Sequence, residues 1–452
     1  MKTKKISMKK YEKYKQSGVQ WLGEVPEHWE VKRLRFTLEV NPAKSELNLP
    51  ANTLVSFVPM EAVNMDKNLT LDQEKYLDEV YKGYTYFKNG DVVLAKITPC
   101  FENGKSAIAL NLTNGIGFGT TELHVLRANS LISNQFLYYF IKSEPFMKIG
   151  ESEMYGAGGQ KRVPEEFIKN FLISFPPLDE QTAIADFLDN KLGEIDLLIG
   201  KQQTLLEKLA EQRTATITTT VTKGLNPNAP MKQSSVEWLG EVPEHWEIVK
   251  NKYVLEFSKG LTITKENLTD EGIPCVNYGE IHSKYGFEVN PEKHFLKCVP
   301  KEYILSDKNA LLKNGDFVFA DTSEDIKGSG NFTYLNSDLP VFAGYHTIIA
   351  SLNLKTTLPR FLAYVFDSNS HRNQIRTMVK GVKVFSITQA FLKNTFVWLP
   401  PLEEQIAIAD YLDKETAKID RLCDTVNQTI NRLQEYRTAL ITQVVTGKIK
   451  VA

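Results

Sequence analysis

The sequence has few cysteines and no long hydrophobic run. Only four of its 452 residues are cysteines, and none forms a C-x-x-C pair, which argues against a structural zinc site and a disulfide framework. No run of 18 apolar residues occurs, so we expect no transmembrane helix and no membrane partner. The basic N-terminus lacks the apolar core of a signal peptide, and we therefore expect a cytoplasmic protein.

Motifs that mark catalysis are also missing. There is no G-x-x-x-x-G-K-[ST] phosphate loop and no strand-linked G-x-G-x-x-G, and the seven histidines form no H-x-x-x-H pair. The N/D-P-P-F/Y tetrapeptide of amino-methyltransferases is absent as well. We find no catalytic constellation, and we expect no metal or cofactor in this chain.

Charge alone does not identify a partner. The 54 basic and 55 acidic residues give a net charge of −1, whereas proteins that bind nucleic acid by charge alone are usually more basic. Residues 176–224 carry a net charge of −3 and residues 400–452 carry −1, which leaves +3 for the rest. The acidic segments suit protein partners, and the mildly basic remainder permits DNA binding without requiring it.

The dominant feature is an internal repeat. WLGEVPEHWE occurs at 21–30 and again, without change, at 238–247. A second block reads FPPLDEQTAIADFLD from residue 175 and LPPLEEQIAIADYLD from residue 399. Between the blocks the similarity nearly vanishes. Similar frames around different middles indicate two readers of different targets on one scaffold; an ordinary duplication with relaxed surfaces is the alternative.

Long helices follow each Pro-Pro pair, with acidic residues in the first turn and a glycine near the far end. Their apolar residues alternate in steps of four and three, as in a coiled-coil seam. Arg213 and Arg437 lie at the edge of the seam or contact a partner. The seam residues are Leu188, Leu192, Ile195, Ile199, Leu206 and Leu209, then Leu412, Ile419, Val426, Ile430, Leu433 and Leu440.

We expect the two helices to pair with each other, because the seam is narrow and long. Antiparallel pairing would place the two middle domains at opposite ends of a spacer of fixed length. Two amphipathic helices packed on separate cores are the alternative. The fold class expected is α+β, with two α/β domains separated by a long antiparallel two-helix coiled coil and an internal pseudo-twofold repeat.

Both middle segments mix predicted strands and helices with polar, glycine-rich loops. Strands are expected at 91–97, 106–112, 122–128, 316–320 and 345–352, and helices at 134–143 and 359–369. Lys and Arg in the loops can reach phosphates, and Gln and Arg can read base edges. The candidate DNA-binding residues are Lys96, Lys105, Gln160, Lys161, Arg162, Lys327, Arg376, Lys380 and Lys383.

These motifs resemble the specificity subunit of type I restriction–modification systems over nearly the whole chain. The resemblance is carried by SGVQWLGEVPEHWEV and SSVEWLGEVPEHWEI, by the two PPL(D/E)EQ blocks, and by NGDVVLAKI and GQKRVPEEF. One departure is local: residues 384–386 read Val-Phe-Ser where residues 160–162 read Gln-Lys-Arg. Equivalent base contacts therefore cannot be carried from the first half to the second.

The resemblance implies two target recognition domains, each reading half of a split, asymmetric site in double-stranded DNA. The helices would set the gap and dock two modification subunits, which bind S-adenosylmethionine and methylate adenine. Restriction subunits would add ATP- and Mg-dependent translocation and cleavage. A specificity polypeptide for a single-chain restriction–methylation enzyme and a coiled-coil scaffold without DNA remain alternatives.

The expected organisation follows from the repeats and the resemblance. It comprises a basic N-terminal extension at 1–16, a first recognition domain at 17–175, a spacer helix at 176–224, a linker at 225–233, a second recognition domain at 234–399, and a second spacer helix with a C-terminal tail at 400–452.

Overall fold

The computed structural model describes residues 9–64, 67–157, 159–354, 356–381 and 383–451. They form two compact units. The first unit contains the chain up to Gln203 together with the residues from Asn427 onward, and the second contains Thr204–Val426. Each long helix therefore contributes one part to each unit. The predicted α+β class with two mixed domains and long helices is confirmed.

The first unit is a mixed domain completed by parts of both long helices. Its strands are β1 Tyr14–Gln16, β2 Glu24–Pro26, β3 Glu30–Arg33, β4 Leu38–Val40, β5 Leu54–Val58, β6 Glu74–Tyr76, β7 Thr85–Lys88, β8 Val92–Ala95, β9 Ser106–Ile108, β10 Ile116–Gly119, β11 Leu123–Ala128 and β12 Leu172–Phe175. Its helices are α1 Leu77–Val80, α2 Asn134–Ile141, α3 Glu144–Ser152, α4 Glu165–Asn170 and the first part of α5 Leu178–Lys223.

Two four-stranded sheets organise this unit, in the orders β6-β5-β10-β7 and β4-β11-β8-β9. Only the β5–β10 pairing is parallel among those of the two sheets. Two small antiparallel ribbons are formed by β1 with β2 and by β12 with β3. Strand β12 directly precedes α5 in the sequence. Every residue of β8 and β9 is buried, as expected for β8 from its continuous apolar run.

The second unit repeats this plan with different details. Its strands are β13 Met231–Gln233, β14 Glu241–Pro243, β15 Glu247–Lys250, β16 Leu255–Lys259, β17 Ile273–Val276, β18 Glu288–Val289, β19 Cys298–Val299, β20 Leu311–Leu312, β21 Phe317–Ala320, β22 Thr322–Ser323, β23 Phe332–Leu335, β24 Val341–Ala343, β25 Thr347–Leu352, β26 Phe385–Ser386 and β27 Phe396–Leu399. Its helices are α6 Tyr278–Ser283, α7 Tyr303–Ser306, α8 Pro359–Asp367, α9 Asn369–Met378, α10 Gln389–Asn394 and the first part of α11 Leu402–Val445.

The sheets of the second unit have the orders β16-β25-β21-β23-β18 and β19-β17-β24-β20. Antiparallel ribbons β13-β14 and β15-β27 correspond to β1-β2 and β12-β3, and β22-β26 joins two loop segments. The parallel pair β17–β24 corresponds to β5–β10. The two domains thus share a topology although their sequences between the repeated blocks differ.

The long helices pair antiparallel in each unit. In the first unit, Leu188 and Leu192 near the start of α5 share a buried core with Leu440 and Val444 near the end of α11. In the second, the order is reversed: Ile217 and Val221 from the end of α5 share a core with Ile408, Ala409 and Leu412 from the start of α11. Early residues of one helix therefore meet late residues of the other, as expected for the antiparallel arrangement; the heptad pattern itself predicted only that the helices pair.

The sequence-predicted elements are present with shorter bounds. The strands expected at 91–97, 122–128 and 316–320 are β8, β11 and β21, and the helices expected after residues 134 and 359 are α2 and α8. Strand β1 falls within the predicted N-terminal extension, and β13 within the predicted linker. Residues 1–8 of that extension lie outside the described residues.

Candidate nucleic-acid interface

Each mixed domain is anchored to its long helix by a glutamate in the first helical turn. Trp29 is fully buried and donates its indole N–H to Oε1 of Glu180 at 3.3 Å, and His28 Nε2 lies 2.7 Å from Oε2. Tyr11 also donates its hydroxyl to this carboxylate, at 2.5 Å. His28 and Trp29 of the first repeated block therefore hold Glu180 of the second block.

The same anchor occurs in the second unit. Trp246 donates to Glu404 Oε2 at 3.2 Å, and His245 Nε2 lies 2.8 Å from the same oxygen. The anchor also receives the end of the opposite long helix. A Cβ added at Gly224 would lie 3.0 Å from Glu404 and 3.3 Å from Trp246, and Gly224 has φ +73°. Gly447 is placed likewise against Pro26 and Trp29 in the first unit.

A buried glutamine follows each anchoring glutamate. Gln181 accepts the backbone N–H of Ser133 at 2.8 Å and donates to the carbonyls of Leu131 and Pro176. Gln405 makes the equivalent set of bonds, accepting from Leu358 N and donating to the carbonyls of Thr356 and Pro400. These bonds join the start of each long helix to the loop that precedes α2 or α8.

The aspartate of the repeated Leu-Asp pair makes a third connection. Tyr139 on α2 donates its hydroxyl to Asp189, which also accepts from Lys67 at 2.7 Å. Tyr364 on α8 donates to Asp413 at 2.6 Å in the second unit. Burial and the hydrogen bond to the carboxylate raise the pKa of Tyr139 and of Tyr364. Both hydroxyls therefore stay protonated and donate.

The seam residues lie on the protected side of the long helices. Leu188, Leu192, Ile195 and Leu209 are buried, as are Leu412, Ile419, Val426 and Leu440, while Ile199, Leu206, Ile430 and Leu433 are half-buried. Arg437 pairs with Asp196 at 3.2 Å in the first unit, and Arg213 lies 3.8 Å from Asp420 in the second. Both seam arginines reach an aspartate across the helix pair, but Arg213 hydrogen-bonds Asp367 of α8 at the shorter distance of 3.0 Å.

The five candidate DNA-binding residues of the first unit differ in how much of each side chain is available. Gln160 and Lys161 are exposed, and Lys96 is half-buried. Lys105 donates its ammonium to the carbonyl of Met60 at 3.2 Å. Arg162 donates two hydrogen bonds to the carboxylate of Glu122, from Nε to Oε2 and from Nη2 to Oε1, both at 2.9 Å. This hydrogen-bonded ion pair lowers the pKa of Glu122.

The candidates of the second unit are divided in the same way. Lys327, Lys380 and Lys383 are exposed. Arg376 is partly buried and donates to the carbonyl of Lys327 at 2.7 Å; burial lowers its pKa, and nearby Arg372 lowers it further. Gly158 and Val382 of the two predicted basic loops lie outside the described residues.

A cavity of about 770 Å³ opens beside Lys327 in the second unit. Tyr278, Thr322, Ser323, His346 and Val384 are among the residues that line it. Lys380, Lys383 and Arg376 do not belong to its lining as described. The structure therefore brings Lys327 alone of the four candidates to this cavity.

Several side chains that hold these segments together, or contact the candidates, were not identified from the sequence. Gln181 and Asp189, like their counterparts in the second half, are retained in the repeated block, and that retention was the available signal. Glu122 and His346 carry no such signal, because they fall where the two halves have diverged. They come into contact with candidate segments only through the fold.

Metal and membrane sites were also sought in the part of the chain that the structure describes. There, no group of three or more His, Cys, Asp or Glu side chains could hold a metal ion. Among the same residues, every helix is too short or too polar to cross a bilayer.

Comparisons with known proteins agree with the repeat and the fold. Residues 26–207 and 243–433 match the type I restriction modification DNA specificity domain. The chain is 40% identical over 227 residues to the type I restriction enzyme EcoAI specificity subunit of Escherichia coli, covering 50% of this chain but only 37% of the relative. The chain thus spans well under half of that subunit's length.

Two further similarities cover nearly the whole chain. The type I restriction enzyme MjaVIII specificity subunit of Methanocaldococcus jannaschii is 24% identical over 433 residues, which is 94% of each chain. A solved chain from a study of complex assembly and conformational transition of the type I R-M system aligns with TM-score 0.71 at 18% identity, over 93% of this chain and 98% of that one. This structural likeness shows a common fold.

Proposed function

The chain belongs to the type I restriction modification DNA specificity family, and from this premise we propose that it is the DNA specificity subunit of a type I restriction–modification complex. Each recognition domain reads one half of a bipartite, asymmetric site in double-stranded DNA. The observation that carries the proposal is the doubled anchor: Trp29–Glu180 and Trp246–Glu404 hold two domains of unlike sequence on equivalent supports.

The helices fix the gap between the half-sites. Each unit supplies one antiparallel contact between α5 and α11, and across it Arg437 lies 3.2 Å from Asp196 and Arg213 lies 3.8 Å from Asp420. Because an α-helix rises about 1.5 Å per residue and is stiff, such a pair acts as a ruler. The heptad seam residues named above form this ruler.

Two modification subunits dock on the helices. The faces outside the seam keep large apolar side chains in solvent: Leu197 and Leu198 are 61% and 45% exposed on α5, and Leu422, the counterpart of Leu198, is 52% exposed on α11. Exposed leucines on a helix are typical of partner surfaces when they recur in this way. The net negative charge of both helical segments suits a protein partner with a basic face.

Chemistry belongs to the partners. In the proposed complex the modification subunits bind S-adenosylmethionine and methylate adenine at N6, and restriction subunits add ATP- and Mg-dependent translocation and cleavage. This chain contributes recognition and geometry. The complex acts on DNA in the cytoplasm.

Domain replacement tests the proposal. Residues 31–170 are exchanged for the equivalent segment of another specificity subunit, and methylated sites are mapped on randomised DNA with the assembled complex. We expect one half-site to change while the other half-site and the gap are retained. Absence of salt-dependent DNA binding by the unaltered complex would favour the scaffold alternative, and changes in both half-sites would refute independent readers.

The docking surface is tested separately. Leu197→Asp should lower the amount of modification subunit retained by the tagged chain at least tenfold, because a buried carboxylate at a hydrophobic interface is strongly unfavourable. Gln203→Asp, an exposed position about 120° round the same helix from Leu197, serves as the control. Equal retention by Leu197→Asp and the unaltered chain would contradict docking at this face.

A further inference from the structure

The same pair of backbone hydrogen bonds, here called the frame, occurs in both recognition domains. In the first domain, Lys96 N donates to Glu122 O and Val163 N donates to Lys96 O, each at 2.9 Å. In the second, Asp321 N donates to His346 O at 3.0 Å and Ile387 N donates to Asp321 O at 2.8 Å. Two identical hydrogen bonds therefore tie together three chain segments in each domain.

The register of this frame makes three positions equivalent. Lys96 corresponds to Asp321, since each follows the buried strand β8 or β21. Glu122 corresponds to His346, since each precedes β11 or β25. The third pair is fixed by β-bridges, because Ile97 bridges Arg162 and Thr322 bridges Ser386.

The backbone is the same, but the side chains are unlike. The first domain holds two cations and a carboxylate, with Arg162 forked on Glu122 at 2.9 Å. The second holds a carboxylate, an imidazole and a hydroxyl, with His346 Nδ1 3.2 Å from Asp321 Oδ1. The backbone hydrogen bonds that build the frame do not depend on these side chains, so each domain can carry a different set on the same frame.

These side chains are accessible and, in the second domain, border open space. His346 and Ser386 are exposed, and the other four are half-buried. His346 has a positive φ of +54°, which costs free energy for a non-glycine residue, and it lines the cavity of about 770 Å³ with Tyr278. Its ring meets the edge of Tyr278 at a centroid distance of 5.3 Å, so an exposed imidazole and an aromatic side chain lie together at the cavity.

We propose that Lys96, Glu122 and Arg162 in the first domain, and Asp321, His346 and Ser386 in the second, are the positions at which each domain selects its half-site. The inference rests on the proposed DNA-reading function and adds the residues that determine specificity.

The chemistry of the two sets differs in what it can recognise. Lys and Arg donate to guanine O6 and N7, so the first set favours a guanine. Asp accepts from the exocyclic amino group of cytosine, and Ser and His both donate and accept, so the second set selects a different edge pattern. The same backbone frame thus presents different base-contacting side chains in the two domains.

Selection from a randomised DNA library tests this proposal. Assembled complexes containing the unaltered chain, Arg162→Ala, His346→Ala or Ser386→Ala select bound duplexes, which are then sequenced. We expect Arg162→Ala to relax base preference about tenfold or more in one half-site only, and His346→Ala or Ser386→Ala to do so in the other. The gap stays the same.

Two controls separate a lost base contact from a damaged fold. Lys82→Ala removes an exposed cation of the first domain, and His294→Ala removes a histidine that stacks on Tyr285 at 4.8 Å. Both should keep the unaltered motif. Ser386→Ala removes one hydroxyl from an exposed position, so its folding is not at risk.

The outcomes are distinguishable. If the unaltered complex selects no bipartite motif, the proposed function fails. If it selects such a motif and the three variants select the same motif with the same preferences, the function stands and the specificity positions are wrong. A uniform loss of affinity for all sequences, without relaxed preference, also overturns the inference.

Discussion

Trp29 and Glu180 are joined by a hydrogen bond of 3.3 Å, although about 150 residues separate them in the sequence. The bond links the two repeated blocks, and its counterpart between Trp246 and Glu404 does the same in the second unit. The constancy of both blocks therefore has one cause. Each block is half of an anchor, so neither half can change alone without leaving a buried indole N–H unpaired.

Loss of this anchor should destabilise the first unit. Glu180→Ala removes the acceptor shared by Trp29, His28 and Tyr11, and we expect the free energy of unfolding to fall by about 2 kcal/mol because buried donors lose their partner. Chemical denaturation followed by tryptophan fluorescence measures the change. Asp179→Ala, the exposed neighbour in the same helical turn, should have little effect. Equal losses from both variants would contradict the anchor.

The end of α11 should tolerate no side chain at Gly447. A Cβ there would lie 2.4 Å from Pro26 Cδ, and the residue has φ +72°, so Gly447→Ala is expected to cost about 2–4 kcal/mol. Gly193→Ala is the matched control, because nothing lies within 4 Å of the added atom and alanine favours a helix. Thermal unfolding of the two variants should move in opposite directions. A neutral Gly447→Ala would disprove the close packing.

Stability of the second unit should fall in acid through His371. This residue is buried, and burial, with a smaller contribution from the charge of Arg372, lowers its pKa from 6.5 to about 3. Between those values the unfolded chain binds a proton that the folded chain does not. The contribution of neutral, buried His371 to the free energy of unfolding is therefore complete above pH 6.5. It is lost as the pH falls toward 3, by about 1.4 kcal/mol per pH unit.

Urea unfolding at pH 6 and pH 5 checks this expectation. His371→Leu abolishes the titration and should reduce the pH dependence of the unfolding free energy by about that amount per unit. His294→Gln provides the control at a histidine outside this core. Identical slopes for His371→Leu and the unaltered chain would show that His371 is not responsible.

The sequence predicted the frame of the molecule better than its reading surfaces. The seam from Leu188 to Leu209 could be predicted because its apolar spacing follows from local helical geometry. Its antiparallel pairing could be inferred from the internal repeat. The role of Glu180 was read only as favourable charge at a helix start. Its indole partner could not be assigned, since no local pattern records a contact between Trp29 and a distant helix.

Reading surfaces depend on contacts between loops far apart in the chain. Arg162 was predicted as a base reader from its basic loop, but its bond to Glu122 arises because β11 brings residue 122 beside it. Lys105 was predicted on charge, and the fold directs it to the carbonyl of Met60. Residue type and loop character led to these candidates, whereas the three-dimensional register decides which of their atoms are presented.

Lengthening the ruler should lengthen the recognised gap. One heptad inserted into each long helix, between Ile199 and Leu206 and between Cys423 and Ile430, preserves the seam and adds about 10 Å, or roughly three base pairs. Mapping of methylated sites should show a wider gap with unchanged half-sites. The same seven residues inserted after Gly224, outside the helix, should leave the gap as it was. An unchanged gap in the first variant would refute the ruler.

The discontinuity of the first unit also orders events on the ribosome. Its core around Trp29 includes Leu440, Ile441 and Val444, which are synthesised after the whole of Thr204–Val426. The second unit is one uninterrupted stretch, Thr204–Val426, so its core needs no residue synthesised after Val426. The first unit cannot complete its core until the last turns of α11 have been synthesised. Until then, the apolar residues that pack against those turns remain exposed.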